Sequence, residues 1–495
     1  MVEPNRVGEF PFRKTDPEER KTNFSEVQQP YSEHEVMKEA ERCLLCGTPV
    51  CIDACPVLLD VRGMNEAAAR GDFKTSYERI RETNPLLGVT ARCCPQLQGL
   101  CEDACVLKWS GQPIAIGLIQ RYIADWETKH RQPAPSIAQD TGKKVAVIGS
   151  GPAGLAASAL LKRYGHAVTI FESSNMVGGT AWYGVPDYHL PKEVLLDEIE
   201  KVRLMGVDIK TNVTIGKDIL LAQLLEENDA VLITTGCKDA RSLDIPGNNL
   251  IGIFSGYEFL ETVFSRGLEK YLKKPKYDLG KDILVIGGGD TSLDCARTAL
   301  RLTEGKGNVT LLCLHSKTEL HVDPIMLQEA EEEGIKFEFL VQIKSFQGNQ
   351  KGHVTHAIIN RIQMGDRNDS GKRHPVVVPN EEFKMKCSTL LIAIGRGPNS
   401  FLQKKAGINT GKLNSIVITD NFKTSLERVF AAGDVTSGET LIVKAMEKGR
   451  EAAQRVHEYL MNLESNHMSF YEKYYTDLSY DKMLKGKEVS GSPPS

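Results

Sequence analysis

Cysteine spacing constrains this chain more than any other sequence feature. Eight of its twelve cysteines lie between Cys43 and Cys105, in two groups joined by short loops. Such loops, with prolines directly after Cys55 and Cys94, let several thiolates converge on one inorganic core, as iron–sulfur clusters require. No secretory signal precedes them, so we expect metal ligands rather than disulfides. Structural zinc and free buried thiols are the alternatives. The eight cysteines are Cys43, Cys46, Cys51, Cys55, Cys93, Cys94, Cys101 and Cys105.

Composition sets broad limits on size and environment. The 495 residues predict roughly three domains, and the 41% hydrophobic and 25% charged content is ordinary for a globular protein. The net charge of −4 gives no indication of a nucleic-acid partner or of binding to a membrane surface. No apolar run approaches the ~18 residues of a transmembrane helix. We therefore expect a cytoplasmic protein.

A dinucleotide-binding pattern follows the cysteine region. The apolar strand Val145–Ile148 runs directly into Gly149-x-Gly151-x-x-Gly154 and a helix. The first glycine allows the tight turn, the second lets the backbone approach a pyrophosphate, and the third allows close helix–strand packing, while the helix N-terminus favours the phosphate charge. Glu172 ends the next strand, where a carboxylate can accept hydrogen bonds from ribose hydroxyls. The predicted contacts are Gly149, Ser150, Gly151, Pro152, Ala153, Gly154 and Glu172.

Two further segments indicate that this first nucleotide is FAD. Gly178, Gly179 and Thr180 follow the second strand closely and would pass beside the flavin end of the dinucleotide. Late in the chain, a short strand leads into Gly433 and Asp434 and resembles the second FAD fingerprint of flavoproteins with two dinucleotide domains. In those proteins the aspartate binds the ribityl chain. A glycine pair alone would more often be an ordinary loop, but the combination is specific.

The strand–glycine–helix unit recurs after residue 280 and predicts a nicotinamide nucleotide site. Gly287-x-Gly289-x-x-Ser292 follows an apolar strand, and Ser292 is small enough for close packing. The next strand ends without the acid that selects NAD and without an arginine that would hold a 2′-phosphate, so NAD and NADP are both open. Nearby cationic side chains are candidates, with solvated surface residues as the alternative. These candidates are His315, Lys317 and His321, and the other predicted contacts are Asp290, Thr291 and Gly395.

In their order, these motifs resemble the small subunit of glutamate synthase and the N-terminal half of dihydropyrimidine dehydrogenase. The resemblance covers about residues 25–460 and includes the segment Tyr183–Lys192. It implies two [4Fe–4S] clusters, FAD, and NADPH or NADH. Adjacent Cys93 and Cys94 cannot easily bind one cluster, and Cys93 is the expected bystander. Carried over by position, one cluster would use Cys43, Cys46, Cys51 and Cys105, and the other would use Cys55, Cys94, Cys101 and Gln120.

The chain departs from the family pattern at several positions. His189 stands near the flavin, where the family usually has arginine. Leu314 and His315 replace the paired basic residues that hold the NADPH 2′-phosphate, which makes NADH a serious possibility. Gln120 matches the pyrimidine enzyme, whereas glutamate synthase subunits usually have glutamate there. Without the resemblance, Gln120 would be taken as a surface glutamine.

The predicted fold class is α/β, with two Rossmann-like dinucleotide-binding domains, for FAD and NAD(P), preceded by an α-helical iron–sulfur domain. Two prolines and small polar residues within residues 130–141 indicate a linker after the helical domain. The predicted ranges are 1–140 for the clusters, 141–278 and 391–462 for FAD, 279–390 for NAD(P), and 463–495 for a polar C-terminal tail.

The motifs and the resemblance together imply an NAD(P)H-oxidising flavoenzyme that passes electrons onward. Hydride transfer to a flavin needs no general acid or base, so no catalytic residue is expected. No Cys-x4-Cys pair stands beside the first glycine loop, which disfavours a disulfide reductase. The expected role is an input subunit for a separate FMN-containing partner, such as a glutamate synthase large subunit or a pyrimidine reductase. A self-sufficient oxidoreductase acting on ferredoxin or a small molecule, and a non-enzymatic assembly module, are the alternatives.

Overall fold

The structure, a computed structural model, describes residues 12–265, 268–273, 277–367 and 373–463. Residues 1–11 and, apart from Leu463, the predicted C-terminal tail lie outside these ranges. Within them, no helix combines the length and the apolar character needed to cross a membrane.

The N-terminal part is helical, as predicted. Its helices are short because capping residues and cysteine loops interrupt them. Ser32 begins the second helix: its hydroxyl accepts from the Glu35 amide, and the Glu35 carboxylate accepts from the Ser32 amide. The helices are α1 (Pro17–Arg20), α2 (Glu33–Glu41), α3 (Val50–Asp53), α4 (Val61–Ala69), α5 (Phe73–Arg81), α6 (Leu87–Cys93), α7 (Cys101–Ala104) and α8 (Ile116–His130), with a 3₁₀ helix at Val106–Ser110.

The first α/β unit follows residues 131–143, which form neither helix nor strand. Residues Val145–Ile148 and Ala230–Ile233 are buried throughout, as expected for central parallel strands covered on both faces. The elements are β1 (Lys144–Ile148), α9 (Pro152–Arg163), β2 (Ala167–Phe171), α10 (Thr180–Tyr183), α11 (Lys192–Leu204), β3 (Asp208–Lys210), α12 (Leu221–Glu227), β4 (Ala230–Ile233) and β5 (Asp239–Ala240).

The second unit repeats the parallel arrangement and adds a three-stranded antiparallel sheet. The predicted strand and helix around the second glycine loop are present as β7 and α15. The elements are β6 (Ile253–Ser255), α13 (Gly256–Phe264), α14 (Leu268–Lys273), β7 (Asp282–Gly287), α15 (Asp290–Leu302), β8 (Asn308–Cys313), α16 (Pro324–Glu332), β9 (Lys336–Phe339), β10 (Val341–Gly348), β11 (Val354–Arg367), β12 (Arg373–Lys386) and β13 (Thr389–Ala393), with a 3₁₀ helix at Lys317–Glu319.

The chain then returns to the first unit. The returning strand β15 pairs with β4, so the first sheet has the order β15-β4-β1-β2-β3 and combines two separate parts of the chain. The remaining elements are β14 (Arg396–Gly397), α17 (Phe401–Ala406), β15 (Val429–Ala431), α18 (Asp434–Ser437) and α19 (Ile442–Leu460), with a 3₁₀ helix at Lys412–Asn414.

The second sheet takes strands from both sides of the range predicted for the NAD(P) domain. Its order is β6-β13-β7-β8-β9, and β10, β11 and β12 form the antiparallel sheet. Strand β6 precedes residue 279 and pairs in parallel with β13, which crosses the predicted boundary at residue 390. The sequence did not reveal that the second unit extends beyond both predicted boundaries, because the pairing of β6 with β13 joins residues that are far apart along the chain.

The returning helix α19 binds the first unit to the helical domain. It packs along α9, where a Cβ on Gly449 would lie 2.2 Å from the Ala153 carbonyl oxygen. The buried Arg450 donates from Nη1 to the Val57 carbonyl oxygen at 2.9 Å. One hydrophobic core runs through both parts, with Ile52 in the helical domain and Leu155 on α9 among its members. The helical domain and the first unit therefore form one packed body.

Replacing Gly449 by alanine should lower the thermal stability of the protein. The added methyl group would clash with the α9 backbone, and overpacking of this kind costs roughly 1–3 kcal/mol. Gly397→Ala is the control, because a Cβ there would meet only the Leu413 carbonyl oxygen at 3.6 Å, an ordinary contact. Thermal unfolding followed by circular dichroism compares the two variants. Equal melting temperatures would contradict the close helix contact.

Candidate functional site

A large cavity lies at the carboxyl ends of both parallel sheets. Its volume is about 1160 Å³, and both glycine loops open into it. Ligands of doubly wound folds bind in such crevices, outside the carboxyl ends of the strands. Seventeen of the predicted cofactor contacts line the cavity: Gly149, Ser150, Gly151, Pro152, Ala153, Glu172, Gly179, Thr180, His189, Gly287, Gly289, Asp290, Thr291, His315, His321, Gly395 and Asp434.

Four predicted contacts lie outside the cavity wall. Three of them are glycines that support the wall through close backbone packing. A Cβ on Gly154 would lie 2.0 Å from the Gly149 carbonyl oxygen, and the Gly178 amide donates to the Ser150 carbonyl oxygen at 3.1 Å. The fourth residue, Lys317, is held elsewhere by an ion pair described below. The four residues are Gly154, Gly178, Lys317 and Gly433.

The first glycine loop has the shape that a phosphate cradle needs. Gly149 has φ +105°, and a Cβ there would lie 2.7 Å from the Thr234 carbonyl oxygen, so only glycine fits. At Gly151 a Cβ would meet no atom within 4 Å, because this position faces the open cavity. The loop therefore offers bare backbone at the N-terminus of α9, where phosphate charge is favoured.

Glu172 is held as an ionised acceptor at the end of β2. Its Oε2 accepts from the Ser150 amide at 3.0 Å and the Ser150 hydroxyl at 2.7 Å, and its Oε1 accepts from the Ser174 amide at 2.8 Å. Burial would raise the pKa of this carboxyl, but the Lys238 cation and these hydrogen bonds outweigh burial and lower the pKa below its usual value. The carboxylate is thus placed to accept from ribose hydroxyls.

Asp434 enters the same cavity from the returning part of the chain. Its Oδ1 accepts from the Thr440 hydroxyl at 2.7 Å, and burial raises the pKa of Asp434 to about 6. Nearby, Arg396 forms an ion pair with Glu439 and stacks over the Tyr257 ring, 4.1 Å from its centroid. Because β15 and α18 carry Asp434 to the edge of the first sheet, both predicted FAD fingerprints border one space.

These residues fit FAD. The bare loop at Gly151 suits a pyrophosphate, the ionised Glu172 suits a ribose, and the half-buried Asp434 suits a polyol chain. Gly179 packs so closely that a Cβ there would lie 2.8 Å from the Gly151 Cα, which joins the predicted flavin segment to the phosphate loop. The assignment of each residue to a part of FAD stays a prediction.

The second glycine loop is tightened by its serine. The Ser292 hydroxyl donates to the Gly289 carbonyl oxygen at 2.6 Å, and a Cβ on Gly287 would lie 2.6 Å from the Ser292 Cβ. Asp290, the first residue of α15, accepts from the Asp323 amide at 2.9 Å, and burial raises the pKa of Asp290 to about 7. A small residue at position 292 therefore permits the same strand–loop–helix geometry as the usual glycine or alanine.

At the far end of the second site, the described cations Lys317 and Arg373 are paired with carboxylates. Leu314 and His315, which follow β8, line the cavity. The Lys317 ammonium instead pairs with Glu331 at 2.6 Å, and Arg373 lies 3.4 Å from the carboxylate of Glu319. Of the cationic candidates predicted from the sequence, His315 and His321 border the cavity and Lys317 does not.

The first predicted set of cluster ligands is brought together by the fold. Cys43, Cys46, Cys51 and Cys105 line one small cavity of the helical domain. Burial raises the pKa of Cys51 to about 12, and the other three thiols of the set add to the shift. Thiols that disfavour one another's ionisation in this way suit a positively charged inorganic core, which would hold them as thiolates.

Cysteines of the second predicted set also adjoin one another. Burial raises the pKa of Cys101 well above its usual value, with contributions from the neighbouring Cys55 and Cys94. Gln120 is buried on α8, which packs against α6, the helix that ends just before Cys94. Its role as the fourth ligand stays a prediction. Among the described residues, no group of three or more His, Cys, Asp or Glu side chains is arranged to hold a metal ion.

Several cavity residues were not found by sequence reasoning. Gln28, Arg92 and Cys93 reach the cavity from the helical domain. No local motif marks them, because only tertiary packing brings them there: Arg92 and Cys93 lie on α6, and Arg121 of α8 holds the Gln28 carbonyl oxygen. Arg396 had one usable signal, since it is a charged residue directly after the predicted glycine turn at Gly395.

Comparison with known families agrees with this arrangement. The family model described as pyridine nucleotide-disulphide oxidoreductase matches residues 143–449, and the model described as dihydropyrimidine dehydrogenase domain II, 4Fe–4S cluster, matches residues 20–132. Among solved structures, Mycobacterium tuberculosis FprA in complex with NADPH has a similar fold, with a TM-score of 0.54 and 17% identity over 71% of this chain and 87% of FprA. At that identity the likeness concerns the fold alone.

Similar proteins of known name extend over most of the chain. The glutamate synthase [NADPH] small chain of Escherichia coli K12 is 33% identical over 451 residues, which are 89% of this chain and 95% of that protein. The glutamate synthase [NADPH] small chain of Bacillus subtilis is 33% identical over 478 residues, which are 90% of this chain and 95% of that protein. The NADP(+)-dependent formate dehydrogenase subunit beta of Moorella thermoacetica is 34% identical over 439 residues, 83% of this chain and 60% of that subunit. This chain belongs to the glutamate synthase small-chain family, with a 4Fe–4S domain preceding a pyridine nucleotide-disulphide oxidoreductase domain.

Proposed function

We propose that this chain is an electron-input subunit that oxidises NADH and delivers the electrons, through FAD and two [4Fe–4S] clusters, to a partner subunit. One observation carries the proposal. The cavity that opens onto both glycine loops also reaches Cys93, the residue directly before the predicted cluster ligand Cys94. This contact supports an arrangement in which the nucleotide and flavin sites adjoin one of the proposed cluster sites.

The chain's own residues bind and orient the cofactors. Bound FAD would supply the hydride acceptor, and bound clusters would supply one-electron carriers. The loops at Gly151 and Gly289 offer backbone amides to the two pyrophosphates. Glu172 and Asp434 fix the FAD by its ribose and ribityl hydroxyls. Because both loops face one cavity, a bound nicotinamide nucleotide and a bound FAD would share that cavity.

The two cysteine sets differ in their place relative to the cavity. Cys94 follows the cavity-lining Cys93, and the thiols of Cys55 and Cys101 adjoin it. The small cavity of the other set is also lined by Leu44, whose surface is 62% exposed. We propose that the set containing Cys94 receives electrons first and that the set beside Leu44 passes them to the partner.

The charges beside β8 favour NADH over NADPH. A 2′-phosphate is usually held by arginine or lysine, with charge-assisted hydrogen bonds. Here Leu314 and His315 stand at the end of the strand, and carboxylates neutralise both Lys317 and Arg373. NADPH would therefore lose its strongest contacts, whereas NADH would not.

The partner and compartment follow from the family and from the thiols. Relatives are named as small or beta subunits, so we propose a separate electron-accepting subunit, with an FMN-containing large subunit of the glutamate synthase kind as first choice and ferredoxin as second. All twelve cysteines are free. Clustered free thiols suit a reducing compartment, and we propose the cytoplasm.

An anaerobic titration tests the proposed function. The purified chain would be titrated with NADH and, separately, with NADPH, while iron and flavin are quantified on the same sample. We expect about eight irons (two four-iron clusters) and one FAD per chain, with bleaching of the flavin absorbance. Little iron and no bleaching by either nucleotide would refute the oxidoreductase role and favour an assembly module.

Removing Cys94 should halve the iron content, whereas removing Cys93 should leave it unchanged. Cys94→Ala deletes one of the ligands proposed for the second cluster, so about four of eight irons would be lost. Cys93→Ala is the matched control, because Cys93 adjoins Cys94 but lines the nucleotide cavity. Iron analysis and electron paramagnetic resonance of the reduced protein measure the cluster content of the two variants. Equal iron in the two variants would contradict the assignment.

Gln120 can be tested in the same way. Gln120→Ala should lose iron or alter the resonance signals of one cluster, whereas Gln120→Glu should retain it, because a carboxylate can replace the amide oxygen as a ligand. Spectra and iron content of Gln120→Ala that match the unmodified chain would exclude Gln120 as a ligand.

Basic residues introduced at the end of β8 should increase the affinity for NADPH. In the double variant Leu314→Arg and His315→Arg, guanidinium groups could bind the 2′-phosphate, and hydrogen bonds to charged groups contribute about 1.5–3 kcal/mol, a roughly 10- to 150-fold gain in affinity. Lys317→Gln is the control and should change neither Kd, because its ammonium pairs with Glu331. Anaerobic titration of NADPH and NADH measures the Kd values. A tighter Kd for NADPH than for NADH in the unmodified chain would overturn the proposed NADH preference.

A further inference from the structure

A buried ionic cluster lies behind the second glycine site. Arg297 and Arg301 of α15 both contact the carboxylate of Glu333, with Nη2 of Arg297 and Nη1 of Arg301 each at 2.7 Å. Arg297 also pairs with Glu329 at 2.9 Å. The side chains of all four residues are fully buried. Buried charges persist only when they are paired and hydrogen-bonded, so the geometry of this cluster is tightly determined.

The N-terminal arm, residues 12–30, contributes a third arginine to the cluster. Arg20 is 1% exposed and donates from Nε to the Glu333 carboxylate at 2.9 Å. Its Nη2 donates to Glu332 at 2.6 Å and to the Glu329 carbonyl oxygen at 3.1 Å, and its Nη1 donates to the Thr15 carbonyl oxygen at 3.0 Å. A residue far from the nucleotide domain in sequence thus adds hydrogen bonds to the buried core of that domain.

The cluster reaches the cofactor cavity through His189. Nη1 of Arg297 lies 3.0 Å from the His189 Nε2. Asp294 Oδ1 is 3.3 Å from the same nitrogen. Arg297 and Asp294 therefore both contact one nitrogen of the His189 ring and fix the orientation of a side chain in the cavity wall.

The same arm also contacts α6 and α8, the helices on the side of the cavity nearest the proposed cluster ligands. Arg121 of α8 donates to the Gln28 carbonyl oxygen at 2.6 Å, and Gln28 itself lines the cavity. Glu26 pairs with Arg92 at 2.8 Å and with Arg121 at 2.9 Å. The Val27 amide donates to the carbonyl oxygen of Tyr188, the residue before His189, at 3.1 Å. The arm is thus bonded to the helical domain, to the flavin-side loop and to the nucleotide domain.

We propose that Arg20 is a positioning residue for hydride transfer: through Glu333 and Arg297 it holds His189 and the nucleotide domain in register with the flavin. The inference rests on the proposed function and adds that the iron–sulfur domain's own arm sets the alignment between the two nucleotides. Hydride transfer is sensitive to such alignment, because a displacement of about 1 Å can cost roughly 100-fold in rate. Within the described part of the chain, the hydrogen bonds and ion pairs of Arg20 reach no residue that lines the cavity, so Arg20 acts through Glu333 and Arg297.

The test compares Arg20→Met with Lys14→Met. Lys14 lies on the same arm and pairs with Glu332 at 2.8 Å, but among the described residues it forms no hydrogen bond or ion pair with Glu333 or Arg297, and so it serves as the matched control. Anaerobic stopped-flow at saturating NADH gives the rate constant of flavin reduction. Calorimetry with NAD⁺, which transfers no electrons, gives a Kd. The long-wavelength absorbance that reduced flavin and NAD⁺ give when they stack reports their alignment.

For Arg20→Met we expect flavin reduction to slow about 10-fold or more and the stacking absorbance to weaken, while the Kd for NAD⁺ stays within about twofold. Lys14→Met should differ from the unmodified chain by less than about twofold in all three. Arg20→Lys keeps the positive charge but lacks the forked geometry, so its rate should lie between those of the unmodified chain and Arg20→Met.

Two results would overturn the inference. One is equal flavin reduction in Arg20→Met and Lys14→Met. The other is a rise in the NAD⁺ Kd that parallels the slower rate, which would indicate general loss of structure. If Arg20→Met loses FAD or iron, Arg20→Lys replaces it in the comparison with Lys14→Met. The rate of flavin reduction and the Kd for NAD⁺ are then compared in the same way. Absence of bleaching in the unmodified chain would instead reject the proposed function.

Discussion

The return of α19 onto α9 is the contact on which both cofactor regions depend. At Gly449 the two helices touch through backbone, and at the next position Arg450 donates to the Val57 carbonyl oxygen, two residues after Cys55. Consecutive residues of α19 therefore contact α9, which follows the first glycine loop, and the loop that follows Cys55. The large shared core explains why the helical domain can contribute side chains to the cavity wall.

Electrostatics separates the functions of the carboxyl groups in the cavity. Burial raises the pKa of Asp290 to about 7 and that of Asp434 to about 6, so both lose part of their negative charge near neutral pH. A reduced negative charge on these carboxyl groups lowers their repulsion of the phosphates of a dinucleotide. Glu172 is the opposite case, because Lys238 and hydrogen bonds keep its pKa low and its charge intact. Neighbouring acids of one cavity thus have different charge states because their surroundings differ.

How much the sequence could predict depended on the range of the interactions. The strand–loop–helix units and Glu172 were predictable, because periodicity and glycine spacing act over a few neighbouring residues. Gln28 and Arg92 were not, because they reach the cavity only when the helical domain packs on the first unit. Lys317 was predicted from its place after β8, but Glu331 on α16 draws its ammonium away from the cavity. No local pattern reveals a partner on another element.

The discontinuous first sheet has a consequence for the order of assembly during synthesis. Its edge strand β15 and the helix α19 are translated after the whole second unit, whose parallel sheet is complete once β13 has emerged. Domains fold in turn as the chain leaves the ribosome, with N-terminal parts first. The second unit can therefore become structured while the first unit still lacks the segment that carries Asp434. Capture of the flavin would then follow the arrival of α19, the same helix on which the packing of the cysteine-bearing helices depends.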